Sequence, residues 1–352
     1  MGILKRTAKG ILGRRFKQAK QNKPWSMQIE LTEGCNRLCT FCGLNGIRSG
    51  VVGDPFKFME VSSAVRIAKQ IADFCPEIRL EFAMHGEPTV NPNFFEIVSI
   101  FRRFLPKTQM LLTTNGRHWM KNLEEQCTKA FACGMDMIVL DTYEPERTKL
   151  QEKAKACTNF TVIDFYGDGM AENNPMYPWM NHKRKVSNVL FIMDSIGIRD
   201  GESKSRSLSN HAGNAAHTDK RLPALPKPMR AKCALPFREI SICYDGNINI
   251  CCMDWGHEYT CGNVLNRSLQ DIWYGKEFEA ARTFLYHSNR GFSPCDRCNA
   301  GVGSRAGLLT QMPKPTKEHL ETIKLVHMKP QRNKLERKIW PTLTNLVRKS
   351  DV

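Results

Sequence analysis

From residue 27 the chain alternates short apolar segments with longer amphipathic ones. MQIEL, IRLEFAM and QMLLTT are short and apolar, and polar residues flank them, which is typical of buried strands. Between them, SSAVRIAKQIADFC and NFFEIVSIFRRFL repeat their apolar residues at helical spacing. Because strands that alternate with helices favour right-handed crossovers, the pattern predicts an α/β fold with a parallel sheet.

The alternation continues towards the middle of the chain. MDMIVLDT and TVIDFY are predicted as the fourth and fifth strands, with helices across residues 119–133 and 146–157. NVLFIMDSI is either a sixth strand or a buried helix. Residues 199–228 are polar and rich in Gly, Ser and Pro, so a loop, a linker or both are expected there.

Three cysteines fall within eight positions of the segment EGCNRLCTFCG, directly after the first predicted strand. Loops at the carboxyl ends of parallel strands are where such sheets build their active sites. Structural zinc requires four ligands and usually pairs its cysteines as C-x2-C, whereas Cys35, Cys39 and Cys42 have no fourth partner nearby. An iron–sulfur cluster held by three thiolates leaves one iron open for a substrate or cofactor.

These residues resemble the signature of the radical S-adenosylmethionine (SAM) enzymes. CNRLCTFC matches the family's CxxxCxxC motif, including the aromatic Phe41 before the last cysteine. MHGEPTVNP is similar to the GGEP motif, with His85 in place of the first glycine, and LLTTNG resembles the end of the family's third strand. The resemblance covers roughly residues 27–200 and implies a partial (β/α)6 TIM-like barrel.

The resemblance implies a role for each matched position. Cys35, Cys39 and Cys42 would hold a [4Fe–4S] cluster, and SAM would bind its open iron. An electron from a reducing donor would then cleave SAM to methionine and a 5′-deoxyadenosyl radical, which abstracts hydrogen from the substrate. The implied SAM contacts are Phe41 near the adenine, Gly86 and Glu87 against the methionine amino group, Asn115, and Asp141 and Thr142 at the ribose.

Two polar segments near strand ends have two interpretations each. Asn115–Gly116 is either a SAM or substrate contact or an ordinary turn. In SNHAG, Asn210 and Gly213 are candidate contacts, and His211 is either a contact or a surface residue.

A second cysteine-rich region occupies residues 233–298 and resembles the SPASM extension of many radical SAM enzymes. REISICYDGNINICC alternates around Asp245–Gly246, which predicts a β-hairpin. The resemblance implies one auxiliary [4Fe–4S] cluster, with zinc as the alternative. Cys252 is an alternative to Cys251, and Cys243 and Cys261 are expected to be core residues. The implied ligands are Cys233, Cys251, Cys295 and Cys298.

The four isolated cysteines are expected to be small buried hydrophobes rather than reactive groups. They are Cys75, Cys127, Cys133 and Cys157. The predicted organisation is a basic arm at 1–24, a radical SAM core at 25–215, a linker at 216–232, a SPASM-like domain at 233–312 and a basic helix or tail at 313–352.

The formal net charge of +17 is concentrated in the two tails. Residues 1–23 hold eight Lys/Arg and no Asp/Glu, and residues 313–352 hold ten basic and four acidic residues, so the tails supply +14. Basic arms on a near-neutral body favour nucleic acid as a partner. Two alternative roles for the basic tails are binding to an anionic membrane surface and simply keeping the protein in solution.

No apolar run reaches the ~18–20 residues of a membrane span, and a cytoplasmic location with reduced thiols is expected. Three functions are compatible with the sequence. The first is a radical SAM enzyme that isomerises or otherwise modifies a DNA or RNA base, or an adduct on it, such as the hypermodified thymines of viral DNA. The others are a radical SAM peptide maturase and a non-catalytic iron–sulfur protein that binds nucleic acid.

Overall fold

A computed structural model describes residues 23–44, 56–164, 186–193, 209–215, 220–300 and 312–328. The strands are β1 Ser26–Ile29, β2 Thr32–Glu33, β3 Lys57–Phe58, β4 Arg79–Phe82, β5 Met110–Thr114, β6 Met137–Asp141, β7 Thr161–Asp164, β8 Val189–Met193, β9 Glu239–Ile242, β10 Asn247–Asn249 and β11 Thr260–Asn263. The helices are α1 Val61–Phe74, α2 Phe94–Phe104, α3 Leu123–Ala132, α4 Arg147–Lys155, α5 Leu235–Arg238, α6 Leu269–Trp273, α7 Lys276–Tyr286 and α8 Lys317–Met328.

Nine of the described strands form one sheet in the order β11-β10-β9-β1-β4-β5-β6-β8-β7. The seven strands from β9 to β7 run parallel, and β10 and β11 continue the sheet in antiparallel pairing. The predicted α/β fold with a parallel sheet is confirmed. All the carboxyl ends of the seven parallel strands therefore lie at one edge, where the predicted site residues follow them.

The segment NVLFIMDSI is a strand, β8, and not a helix. It lies between β6 and β7, so the last two core strands are exchanged relative to their order in the sequence. Composition accounts for the exchange: β8 has the sequence VLFIM and is almost entirely buried, whereas β7 has the sequence TVID, begins at an exposed Thr161 and is only half-buried beyond it. The more apolar strand takes the interior position, and the more polar one is tolerated at the edge.

The helices cover the sheet with the apolar residues that their spacing predicts. Ile67 and Ile71 of α1 are fully buried, as is Phe101 of α2, whose ring packs edge-on against Phe82 of β4 at 5.3 Å. Helix α1 ends at the residue before Cys75, and Pro76 follows, which cannot continue a helix. The core thus forms on the α1–α2 side of the sheet.

The predicted hairpin is β9–β10. Gly246 has φ +80°, a conformation that glycine adopts at no steric cost, and it occupies the turn with Asp245. The Cys243 N–H donates to the Asn247 carbonyl at 2.8 Å, which closes the turn. Strand β9 also pairs in parallel with β1, so the C-terminal region extends the core sheet.

The remaining expectations are answered in part. Cys75 and Cys127 are buried as expected, whereas Cys133 and Cys157 are only half-buried. Residues 1–22 of the basic arm and 329–352 of the basic tail lie outside the described residues, as do 216–219 of the linker. The domain boundaries therefore stay predictions. Among the described residues, no helix has the length and apolar character needed to cross a membrane.

Candidate functional site

The cysteine loop is held to the sheet edge by a backbone contact. Gly34, just before Cys35, forms a parallel bridge with Gly86, and the Glu87 N–H donates to the Gly34 carbonyl at 2.9 Å. A Cβ on Gly86 would lie 2.6 Å from the Gly34 oxygen and still closer to the Thr32 oxygen. Glycine is required here because only it allows two backbone segments to approach this closely.

Cys35, Cys39 and Cys42 converge beyond this bridge as free thiols. Burial raises the pKa of the Cys35 thiol, the Glu87 carboxylate adds to this, and the nearby thiols of Cys42 and Cys39 raise it further. The three thiols therefore lie near one another. Three converging sulfur donors fit an iron–sulfur cluster, because a metal stabilises the thiolates that burial disfavours.

A cavity of about 150 Å³ adjoins the three thiols. Its wall contains five of the six residues that the resemblance implies as SAM contacts, although they come from four separate segments. Those five residues are Phe41, Gly86, Glu87, Asn115 and Asp141. The sixth, Thr142, lines a larger neighbouring cavity of about 520 Å³, which shares Arg37, Cys39, Phe41 and Tyr143 with the first.

The buried carboxylate of Glu87 is held by four donors from the protein. Its Oε1 accepts from the Thr89 N–H at 3.1 Å, the Thr89 hydroxyl at 2.7 Å and the Thr114 hydroxyl at 2.6 Å. Its Oε2 accepts from the Asn115 N–H at 2.9 Å. Glu87 thus joins the end of β5 to the GEP segment, and Oε2 retains a second lone pair.

Asn115 contacts the cysteine loop directly. Its Nδ2 donates to Cys35 Sγ at 3.5 Å and to Asn36 Oδ1 at 3.0 Å, while its Oδ1 accepts from the Arg117 N–H at 2.9 Å. An N–H donor on a ligating sulfur tunes the reduction potential of an iron–sulfur cluster. The sequence suggested a SAM contact or a turn, and the structure places this side chain against the predicted ligand.

Asp141 is the last residue of β6 and accepts a hydrogen bond from the Tyr143 hydroxyl. Burial, followed by the charge of Asp141, holds the pKa of Tyr143 well above its ordinary value, so this hydroxyl remains a donor. The Tyr143 ring lies 5.6 Å from the Phe41 ring. Sequence reasoning missed Tyr143, although its position beside Asp141 at a strand end was an available signal.

The Thr142 hydroxyl both donates and accepts a hydrogen bond within the protein. The hydroxyl donates to the Met193 carbonyl at 2.9 Å and accepts from the Gln151 amide at 2.9 Å. Its N–H also donates to Met193, which ties the end of β6 to the end of β8. A ribose contact from Thr142 stays a prediction.

The 520 Å³ cavity is lined by four arginines and two glutamates. Arg37, from the cysteine loop, forms short contacts with the Glu146 carboxylate and the Glu144 carbonyl. Arg117 reaches the Asn36 carbonyl at 2.8 Å and Glu146 at 3.4 Å. These contacts brace the loop, and they were not foreseen from the sequence.

His211 is half-buried and contacts the cysteine loop, which its interpretation as an ordinary surface residue did not foresee. Its Nδ1 accepts from the Gly43 N–H at 2.9 Å, next to the predicted ligand Cys42, and its ring stacks on Trp255 at 4.4 Å. Burial lowers the pKa of His211 to about 4, which keeps the ring neutral. Trp255 also lines the 150 Å³ cavity, and no sequence signal identified it.

Asn210 is fully buried and has a structural role. Its side chain donates to the carbonyls of Pro223 and Arg297 at 2.9 and 2.8 Å, and it exchanges backbone-to-side-chain hydrogen bonds with Asn299. Gly213 has φ +81°. The SNHAG segment therefore fastens the core to the loop that carries Cys295 and Cys298.

The predicted auxiliary ligands are also brought together. Burial raises the pKa of the Cys251 thiol, and the neighbouring thiols of Cys252, Cys295, Cys233 and Cys298 raise it further because their charges would repel one another. The same mutual effect acts on Cys295. Four neighbouring buried thiols fit an iron–sulfur cluster. No three of their sulfur atoms lie within 4.8 Å of one another, a spacing wider than a single zinc ion holds its ligands.

Cys252 is directed differently from Cys251. Its thiol lies 3.4 Å from the Glu239 carboxylate, and burial together with that charge raises its pKa. This favours Cys251 as the ligand. Cys261 is a fully buried core residue as expected, whereas Cys243 lies among polar groups, with its Sγ 3.8 Å from the His257 Nδ1.

Comparison with known proteins decides the family. The radical SAM superfamily model matches residues 29–158, and the SPASM iron-sulfur cluster-binding domain matches residues 233–299. The chain belongs to the radical SAM superfamily. It is thus an enzyme with a C-terminal SPASM domain, and membership implies [4Fe–4S] clusters and SAM as cofactors.

Curated relatives match only part of their own length. GTP 3′,8-cyclase of Klebsiella pneumoniae is 29% identical over 103 residues, which is 29% of this chain and 30% of the relative. Probable GTP 3′,8-cyclase of Thermococcus kodakarensis is 31% identical over 123 residues, 34% of this chain and 36% of the relative. The chain therefore matches about a third of the length of these relatives.

Solved structures match over most of the chain. BtrN in complex with AdoMet and 2-DOIA is 19% identical with a TM-score of 0.58, over 79% of this chain and 94% of that one. BtrN in an open conformation gives a TM-score of 0.52 at 18% identity, over 81% of this chain and 97% of that one. At this identity the likeness shows the fold.

The backbone contact at Gly86 predicts a specific loss of the core cluster. We expect Gly86→Ala to push the Gly34–Cys35 backbone away, so that anaerobic reconstitution gives about four iron atoms per chain instead of about eight. Iron analysis measures this. Gly291→Ala is the matched control, because a Cβ there meets only the Asn289 side chain at 3.2 Å. Full iron content in Gly86→Ala would contradict the steric account.

The lowered pKa of His211 predicts a pH dependence of stability. The unfolded chain takes up the proton near pH 6.5 and the folded chain only near pH 4. The contribution of His211 is therefore fully present above pH 6.5 and is lost as the pH falls towards 4. Between pH 7 and pH 5, wild type should lose about 2 kcal/mol more unfolding free energy than His211→Gln.

Urea unfolding at the two pH values tests this difference, with the exposed His287→Gln as the control. The control should follow wild type. Equal losses in wild type and His211→Gln would show that His211 titrates normally in the folded protein.

Proposed function

We propose that this enzyme reductively cleaves SAM and uses the radical to isomerise or otherwise modify a nucleobase of DNA or RNA, or an adduct on that base. The observation that carries the SAM part is the 150 Å³ cavity, where Cys35, Cys39 and Cys42 adjoin Gly86, Glu87 and other implied SAM contacts. When bound, the cluster supplies the electron that splits SAM into methionine and the 5′-deoxyadenosyl radical.

The chain's own residues prepare this cavity for SAM. The Glu87 carboxylate, fixed by Thr89, Thr114 and Asn115, presents its remaining lone pair to an ammonium group. Phe41 and Tyr143 offer apolar ring surface for an adenine. Trp255 closes the wall nearest the C-terminal domain, which helps to exclude water from a radical that would attack stray hydrogen donors.

Charge supports a polyanionic substrate. The adjoining 520 Å³ cavity has Arg37, Arg117, Arg147 and Arg221 against two glutamates in its wall. The tails carry +14 of the net charge and are suited to grip a phosphate backbone. The names of the curated relatives specify GTP, a purine nucleotide, which agrees with a nucleobase as the target.

The four cysteines of the auxiliary site support a role for a second cluster in substrate oxidation, reduction or binding. Cys233, Cys251, Cys295 and Cys298 are buried near one another and are fastened to the core through Asn210. We propose a second [4Fe–4S] cluster there, which would exchange an electron with the substrate or help to hold it. A cytoplasmic location, where a reducing donor is present, is part of this proposal.

Anaerobic turnover tests both parts. The reconstituted enzyme with dithionite should form 5′-deoxyadenosine from SAM, and Cys35→Ala, Cys39→Ala and Cys42→Ala should each abolish it. Adding single-stranded or duplex DNA should increase 5′-deoxyadenosine formation and should yield a base of altered mass in the digested DNA. Cys127→Ala is the control, since this thiol is buried away from both clusters.

The outcomes separate the three candidate functions. Turnover that ignores nucleic acid but responds to a peptide would favour a peptide maturase. Salt-dependent DNA binding without SAM cleavage would indicate a non-catalytic binding protein. Unchanged SAM cleavage in the three cysteine variants would overturn the proposal as a whole.

A further inference from the structure

A buried cluster of potential metal ligands contains residues of both the radical SAM core and the C-terminal domain. It shares no residue with either predicted iron–sulfur site. One ligand atom from each of Glu30, Cys243 and His257 lies within 4.8 Å of the others. Glu30 follows β1, Cys243 follows the neighbouring β9, and His257 lies in the β10–β11 loop. All three residues are at most 3% exposed.

A hydrogen-bond chain orients the His257 ring for metal binding. His85 Nε2 lies 2.9 Å from the Cys252 carbonyl, which can only accept, so His85 carries its proton on Nε2. In a neutral ring, His85 Nδ1 is then an acceptor, and it takes the proton of His257 Nε2 at 3.1 Å. The Glu30 carboxylate lies 3.7 Å from the same nitrogen, beyond hydrogen-bond distance. The His257 Nδ1 therefore presents a lone pair to Cys243 Sγ, 3.8 Å away.

These separations suit a small divalent transition metal. Zinc bonds of about 2.0–2.3 Å in tetrahedral geometry place donor atoms roughly 3.3–3.8 Å apart. The Cys243–His257 pair is at the upper end of that range, and one Glu30 carboxylate oxygen lies within 4.8 Å of both donor atoms. A divalent ion would also balance one carboxylate and one thiolate, which are costly to bury as isolated charges.

We propose that Glu30, Cys243 and His257 bind one divalent transition-metal ion of the zinc class, with His85 as the positioning residue for His257. Mixed oxygen, sulfur and nitrogen donors select Zn²⁺ or Fe²⁺ over Mg²⁺ or Ca²⁺. Three protein ligands would leave one coordination position of the ion open to a water molecule, as in zinc sites that are not purely structural. The ion would still join the radical SAM core, which supplies Glu30, to the C-terminal domain, which supplies Cys243 and His257.

Two further features support a built site. His257 has φ +51°, an uncommon conformation for a residue with a side chain and one that persists where the surroundings require it. Trp255 packs on the His85 ring at 4.6 Å and also lines the 150 Å³ SAM cavity. The proposed metal would thus set the position of a residue in the wall of the catalytic cavity.

Zn²⁺ binding to the full reconstituted chain tests the proposal independently of SAM cleavage. Equilibrium dialysis with elemental analysis should find one Zn²⁺ per chain in addition to the iron. Cys243→Ala and Glu30→Gln should each weaken this binding by at least about 100-fold, whereas Cys261→Ala, another fully buried cysteine of the same domain, should not.

Two measurements remain decisive if a ligand variant folds poorly. His85→Gln keeps all three ligands but loses the fixed tautomer, and outer-shell changes of this kind typically cost 10–100-fold in metal affinity. Co²⁺ offered in place of Zn²⁺ should give a thiolate-to-metal charge-transfer band that Cys243→Ala lacks. Zn²⁺ uptake equal in wild type and Cys243→Ala, or a Co²⁺ band that survives in Cys243→Ala, would overturn the assignment.

Discussion

The site depends on the close approach of two backbone segments, at Gly34 and Gly86. Their bridge carries the cysteine loop from the end of β1 onto the end of β4, and a side chain on Gly86 would collide with two carbonyl oxygens. Everything that faces the three thiols is positioned relative to this contact. The Glu87 carboxylate, one residue further on, extends the connection to β5 through Thr114 and Asn115.

Polar contacts then fix the loop from its outer side. Arg37 and Arg117 bind Glu146, which belongs to the segment after β6, and Asn115 donates to Cys35. The loop is therefore held by residues that follow β4, β5 and β6, three neighbouring strands of the sheet. This arrangement uses the property of parallel sheets that the carboxyl ends of adjacent strands meet at one edge.

The C-terminal domain is structurally continuous with the core. Strand β9 pairs with β1 along its whole length, and Asn210 and His211 connect the core to the loops of the auxiliary site and to Trp255. The two predicted clusters are consequently held in a fixed relation by backbone and buried polar contacts. This continuity is what brings Cys243 beside Glu30 at the ends of adjacent strands.

The sequence by itself determined the local features. Burial periodicity identified the strands and helices, the turn Asp245–Gly246 identified the hairpin, and the cysteine spacing with the GEP segment identified the family. Such patterns report which face of an element is buried and which backbone shapes are allowed. These local patterns do not specify which distant strand or loop packs against a given element. The sequence alone therefore could not predict those contacts.

Only the tertiary structure decided the long-range partners. The exchange of β7 and β8, the stacking of His211 on Trp255, and the meeting of Glu30 with His257 all join residues far apart in the sequence. Each depends on strand order, which follows from the competition of whole elements for buried positions. The residue type determines which interactions a side chain can make. The packing of the complete sheet determines which other residues lie close enough to make them.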